Sequence, residues 1–142
     1  MAQRNIEQYR RWFEAYNARD TERLIEYCDP AIELHSVFAV AGGAIYRGHE
    51  GMRKLHQDLR DVWGDEIRLD PERYFDLGGD RVLVFALLRG RGGQSGVDVT
   101  MTGAHVTRWR DGLLVYAKGY AHREDALRDL GVSLDDLEPI DP

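Results

Sequence analysis

Five histidines and one cysteine hold most of the proton-handling and metal-ligating capacity of this 142-residue chain. His35 and His105 fall in stretches that alternate as strands do, while His49, His56 and His122 lie in or beside helical stretches. An imidazole titrates near neutral pH, so His35 or His105 could take a proton from carbon or water and return it elsewhere. Each could equally satisfy a hydrogen bond in a polar interior. Trp12 and Tyr16 stand four residues apart on one helical face. An indole N–H can hold an oxygen, and a phenol can also move a proton. Aromatic residues at helical spacing are as naturally core, and the same two readings apply to Met52, Trp63, Phe85 and Tyr120 as walls of a ligand pocket. Glu33 shares a strand face with His35 and would raise its pKa as a neighbour, or simply face solvent. His49 and His56 are two turns apart and no H-E-x-x-H spacing exists, so no metal centre is expected. The glycines at 90, 92, 93 and 96 join two strands instead of opening a helix, which leaves nucleotide binding without a phosphate cradle. The single Cys28 excludes an internal disulfide framework and a multi-thiolate site.

Those groups must be positioned by the elements around them. Ile6, Tyr9, Phe13 and Tyr16 predict a helix over about 5–19, widened by Trp12, with Asn5 as cap and Gln8 reaching back. Asp20 caps a second short helix that buries Leu24, Ile25, Tyr27 and Cys28 and ends at Pro30. Residues 31–38 alternate as a strand, with Ile32, Leu34 and Ser36 on one face and Glu33, His35 and Val37 on the other. Apolar residues on both faces predict cover on both sides. A loop over 39–48 contains Gly42-Gly43, and a helix over about 49–63 carries Met52, Leu55, Leu59, Val62 and Trp63 before Gly64. Four consecutive strands follow over about 66–77, 81–90, 97–110 and 113–120. Their connections are Gly78-Gly79-Asp80, the glycine-rich 91–96 and the two-residue turn Asp111-Gly112. Pro71 puts the first of the four at an edge or a bulge. His105 belongs to the series Met101, Gly103, His105, Thr107, Trp109. A last helix over about 123–130 closes at Gly131.

The order α-α-β-α-β-β-β-β-α predicts an α+β domain. Its one long, bent, mostly antiparallel sheet carries three helices on the concave side and a short C-terminal helix, leaving a single pocket. The length suits one domain over 1–131, followed by an acidic tail over 132–142. With 43% hydrophobic, 31% charged and 10% aromatic residues the chain is neither disordered nor fibrous. The net charge of −6 sits mostly at the end: 122–142 holds seven acids and two arginines, and the remainder is −1. Such tails usually just solvate. Scattered basic residues make nucleic acid an unexpected partner, and no apolar run nears the length of a membrane span. A cytoplasmic location is the default expectation.

Four segments carry a resemblance: Tyr16-Asn17-Ala18-Arg19-Asp20, Asp29-Pro30-Ala31-Ile32-Glu33, Tyr46-Arg47-Gly48-His49-Glu50-Gly51 and Trp109-Arg110-Asp111-Gly112-Leu113-Leu114-Val115. Together they resemble the SnoaL-like branch of the NTF2-like superfamily, which includes ketosteroid isomerase, polyketide cyclases and limonene epoxide hydrolase. The resemblance covers the chain to about Leu130. It implies a cone-shaped fold, a pocket for a small hydrophobic molecule, no cofactor, and a homodimer through the sheet. It also implies proton transfer on a carbonyl compound, as an isomerase or cyclase performs it. Alignment on Ala31 puts the base at His35, alignment on Arg108-Trp109 puts an oxygen-holding donor at His105, and Asn17-Ala18 puts the helix tyrosine's position at Trp12. None of the three is the isomerase's own residue. The epoxide hydrolase's last-strand aspartate falls at Gly119, so that reaction is not expected. The same cone serves non-catalytic proteins as a small-ligand receptor, and that reading stands beside the enzymatic one. Both require His35 and His105 to face one hollow beneath the first helix.

Overall fold

The structure, a computed structural model, describes residues 2–37, 43–64, 67–91 and 98–142. Phe38, Gly42, Glu66, Val97 and the glycine-rich turn over 92–96 lie outside the described residues. Helices α1 (Ala2–Asn17) and α2 (Thr21–Glu26) lead into strands β1 (Cys28–Ser36) and β2 (Ala44–Arg47), then helix α3 (Gly48–Trp63). Strands β3 (Arg68–Gly78), β4 (Arg81–Arg91), β5 (Asp98–Arg110) and β6 (Leu113–Tyr120) follow, then helix α4 (Arg123–Leu130), a 3-10 turn (Leu134–Asp136) and strand β7 (Pro139–Ile140). The strands form one seven-stranded sheet in the order β2-β1-β6-β5-β4-β3-β7, antiparallel except for the β1–β6 pair. This is the expected α+β architecture, with β2 and β7 added at its two edges.

The turn chemistry behaves as the residues dictate. Asp111 and Gly112 both take positive φ, 54° and 77°, the pair of values that a two-residue hairpin turn needs. Pro71 cannot donate to a ladder, and the β3–β4 register shifts between Pro71 and Arg73. Asp20 caps α2 by accepting the Arg23 N–H. At the start of α1 the expectation fails: the helix begins before Asn5, and Asn5 and Gln8 are spent elsewhere. Asn5 donates to Asp80 and Gln8 to the Gly112 carbonyl, so α1 grips two hairpin turns.

Two cores flank the sheet. On the concave side α1, α2 and α3 bury Ile6, Tyr9, Phe13, Leu24, Met52 and Leu59 against Ile32, Tyr74, Val84, Trp109 and Leu114. Each such large side chain contributes about 1.5–3 kcal/mol when fully buried. On the outer side α4 covers only part of the sheet, packing Ala126 against Phe75, Leu83, Phe85 and Ala104. The outer face of β1 is not covered: Glu33 and His35 keep partial exposure there, against the expectation of two covered faces. Among the described residues Val37 and Ile45 stand out as exposed apolar residues beside it.

The tail does not simply solvate. Leu137 packs into the outer core and Ile140 against the inner one, while β7 pairs with Tyr74 and Phe75 on β3. The remaining β3 edge is blunted by a side chain acting as a strand: Asn17 donates to the Leu69 carbonyl at 2.7 Å and accepts its N–H at 2.8 Å. Asn17→Ala orphans both backbone groups, so urea denaturation should show a loss of about 1–3 kcal/mol. No helix among the described residues is long and apolar enough to cross a membrane.

Candidate active site or ligand cavity

The hollow beneath α1 is walled by Tyr9, Trp12 and Tyr16 from the helix, Leu55 and Leu59 from α3, and the sheet residues Leu34, His35, Ser36, Leu69, His105, Leu114 and Ala117. Its lining is apolar apart from three α1 aromatics, Ser36 and two histidines. Among the described residues no carboxylate lines it. The cavity measures about 20 Å³, enough for about one water molecule. Trp12 takes much of the remaining space, stacking on Tyr16 with centroids 5.4 Å apart and an interplanar angle of 23°.

His105 reaches the cavity because β5 presents Met101, Gly103, His105, Thr107 and Trp109 to the concave side, as the alternation predicts. The ring lies over Gly119 of β6: a Cβ at that position would stand 3.4 Å from both Cδ2 and Nε2 of the imidazole. Burial alone pushes the His105 pKa down to about 4, so at neutral pH the ring is uncharged, able both to donate and to accept. Tyr9 and Tyr16 move the other way. Burial raises both phenols, with Tyr74 adding to the rise at Tyr9 and Arg19 opposing it at Tyr16, so both remain O–H donors. Tyr16 is fixed by its surroundings, with Arg19 5.4 Å over its ring and His56 edge-on at 5.5 Å. The Trp12 indole N–H has no oxygen acceptor and is directed at Cys28, whose thiol burial pushes up to about 12.

His35 stands on the β1 wall of the cavity. Its strand sends Ile32, Leu34 and Ser36 into the concave core, so its ring emerges on the outer face. There it lies 5.4 Å from the Tyr116 ring, and its Nε2 is 3.6 Å from the Glu33 carboxylate, which is itself paired with Arg47. Glu33 and His35 are thus neighbours as expected, with their side-chain contact on the outer face. His35 and His105 both border the cavity, but the His35 ring turns to Glu33 and Tyr116 while the His105 ring lies over Gly119. The β1 group on the cavity side is Ser36, which the sequence reading passed over. Its signal was present: a polar residue on the face that Ile32 and Leu34 define.

The other expected wall residues divide likewise. Trp12 and Tyr16 line the cavity. Met52 is fully buried in the inner core without lining it. Trp63 lies against β4, where a Cβ on Gly90 would come within 3.0 Å of the indole. Phe85 and Tyr120 belong to the outer side, Phe85 under the Arg123 guanidinium at 4.7 Å and Tyr120 donating to Asp129 at 2.9 Å. His49 holds the Cys28 carbonyl at 3.0 Å, and His56 is bonded to Thr21 at 2.5 Å. Among the described residues no group of three or more His, Cys, Asp or Glu side chains converges as metal ligands would.

Comparison with known proteins places this geometry. No curated protein matches the sequence. An NTF2-like protein of unknown function from Burkholderia pseudomallei superposes with a TM-score of 0.74 at 21% identity, over 88% of this chain and 95% of that one. TerC, co-crystallised with polyporic acid, gives 0.72 at 25% identity over 89% and 97%. A putative polyketide cyclase from Xanthomonas campestris gives 0.71 at 16% identity over 89% and 96%. The SnoaL-like domain family itself matches residues 9–117. From the first helix through the parallel β1–β6 pair, then, the chain belongs to the SnoaL-like family on the NTF2-like fold.

Proposed function

We propose that the cavity under α1 receives a small, largely apolar molecule bearing one or two oxygens, held by His105 against the Trp12–Tyr16 wall. The observation that carries this reading is the placement of the buried, neutral His105 on a mostly apolar wall. Such a pocket, mostly hydrophobic with a few fixed polar groups, selects ligands by shape and by one hydrogen-bonded oxygen. TerC, at 25% identity, was co-crystallised with polyporic acid. That supports an oxygenated aromatic compound as ligand class. Reception is favoured over proton transfer on an enolisable ketone. The His35 ring is engaged with Glu33 and Tyr116, which leaves His105 and the α1 aromatics to meet a ligand, and no carboxylate among the described lining residues is available as a second acid or base. The cavity admits about one water as it stands, so binding must displace side chains, Trp12 first among them.

Calorimetric titration with polyporic acid as the probe tests the reading. The wild-type protein should bind it, and His105→Phe, which keeps the ring volume, should bind it roughly tenfold more weakly, the loss of one hydrogen bond. Undetectable binding to wild type, or undiminished binding to His105→Phe, overturns it. Deuterium exchange into an enolisable ketone bound in the same cavity, abolished in His105→Phe, would instead establish the enzymatic reading.

A further inference from the structure

The side of α1 next to β3 borders a second hollow. Tyr9, Trp12 and Tyr16 line the cavity, while Arg10, Phe13, Glu14 and Asn17 form another row of the helix and face β3. Between that row and the strand lies an open cleft of about 580 Å³, lined on its apolar side by Phe13, Ala18, Pro71, Tyr74 and Pro142. Its volume is within the range of small-molecule sites, whereas the cavity on the other side of the helix admits about one water.

Tyr74 sets the chemistry of the cleft. The residue is 0% exposed, and its hydroxyl is buried with no hydrogen-bond partner among the described residues. Buried polar groups are nearly always bonded, and Tyr46 and Tyr120 show the usual arrangement, each donating to a carboxylate. Burial raises the Tyr74 pKa, Arg10 lowers it, and Glu7 and Glu14 raise it further, which puts the O–H among the α1 side chains at the rim of the cleft. Arg10 is held 5.6 Å over the ring and donates to the Asp141 carbonyl at 2.8 Å. The charges around the cleft are already matched: Arg10 with Glu7, Glu14 with Arg23, and Asp70 with both Arg68 and Arg89. A charged ligand would have to break one of these pairs. An uncharged one needs only the Tyr74 donor.

We propose that this cleft is a second binding site, and that it takes an uncharged, planar molecule whose carbonyl oxygen accepts the Tyr74 O–H. An aromatic amide, ester or ketone has that chemistry. Its ring packs on Phe13, Pro71 and Pro142, and its oxygen supplies the partner that the buried hydroxyl lacks within the fold. The site lies across α1 from the cavity and does not use His105, so it stands or falls independently of the ligand proposed there.

Benzamide is the probe, and benzoate, of the same shape but charged, is its control. In an amide NMR titration of the full chain, benzamide should bind with a dissociation constant of roughly 1 mM, as a ligand of its size permits. The shifts should fall at 10–18 and 68–74, and benzoate should bind roughly tenfold more weakly or worse. Tyr74→Phe removes the hydroxyl alone. It should weaken benzamide binding roughly tenfold while the melting temperature holds or rises, because the fold loses no hydrogen bond. Ala18→Trp, at an exposed position just after α1, fills the cleft and should abolish binding without reaching the cavity. No shift with benzamide at its solubility limit, shifts confined to Trp12 and His105, or benzoate binding as tightly as benzamide overturns the proposal. Undiminished binding to Tyr74→Phe overturns it too, as does a lowered melting temperature in that variant, which would mean that the hydroxyl is already bonded within the fold.

Discussion

Taking the protein from pH 7 to pH 4 should remove about 6 kcal/mol of stability, about 3 kcal/mol for each of two buried imidazoles. His56 is 5% exposed, its Nδ1 is bonded to Thr21, and its pKa is pushed down to about 4 by burial first and by Arg19 and Arg60 second. His105 is pushed down to about 4 by burial. In the unfolded chain both revert to about 6.5. As the pH falls below 6.5 the unfolded state therefore takes up protons before the folded state does. Stability declines from there and levels off only below about 4. Carboxylates cannot mimic this window. Asp29, held low by the Ala31 N–H, and Asp58, held low by the Tyr46 hydroxyl, release their contribution only below about pH 4. Urea denaturation at several pH values measures the slope. His56→Gln, which keeps a polar partner for Thr21 but does not titrate, should halve it. A wild-type stability that is flat between pH 7 and 4.5 would remove the premise that both rings are buried uncharged.

The same two histidines mark how far the residues alone disclose the structure. His105 is legible because it shares alternation with Trp109, whose size demands burial, and Asp111-Gly112 fixes the hairpin that sets the register. His35 borders the cavity as alignment implies, but alternation decides where its ring goes. A strand has a period of two, so a slip of one position moves a side chain to the opposite face. Ile32 and Leu34 already place His35 outward and Ser36 inward. Phe85 is harder. The run from Val82 to Leu88 is apolar at almost every position, because α1 covers one side of β4 and α4 the other, and a continuous run does not say which parity meets the cavity.

Elements follow the same logic. The bounds of β6 and α4 are punctuated locally, by a two-residue turn on one side and by Gly131 on the other. Strand β2 is four residues long and exists through its pairing with β1, and β7 is two residues long and exists through β3. Neither has a local pattern to announce it. Asn5 has the chemistry of a helix cap, yet Asp80, seventy-five positions later, claims its side chain. Long-range partners that local propensity cannot register decide each of these cases.

Trp12→Ala should be the most informative single change in the cavity. The indole is 4% exposed, stacked on Tyr16 and edge-on to Tyr9 at 5.9 Å and to Phe13 at 5.4 Å, so truncation should cost about 3–5 kcal/mol and lower the melting temperature by roughly 10 °C. The hole left behind joins a space large enough for about one water and walled by leucines and aromatic rings. An apolar hole of that kind binds small apolar molecules. Free indole should therefore raise the melting temperature of Trp12→Ala, recovering about 2.7 kcal/mol at a hundredfold excess over its dissociation constant. Trp63→Ala is the control, since Trp63 rests on Gly90 outside the cavity and its loss should destabilise without being rescued. Equal rescue of both variants, or none of Trp12→Ala, would mean that the indole is ordinary core. Selective rescue would mean that Trp12 occupies the volume a ligand takes, and that the ring must swing away from Tyr16 before His105 can meet an oxygen.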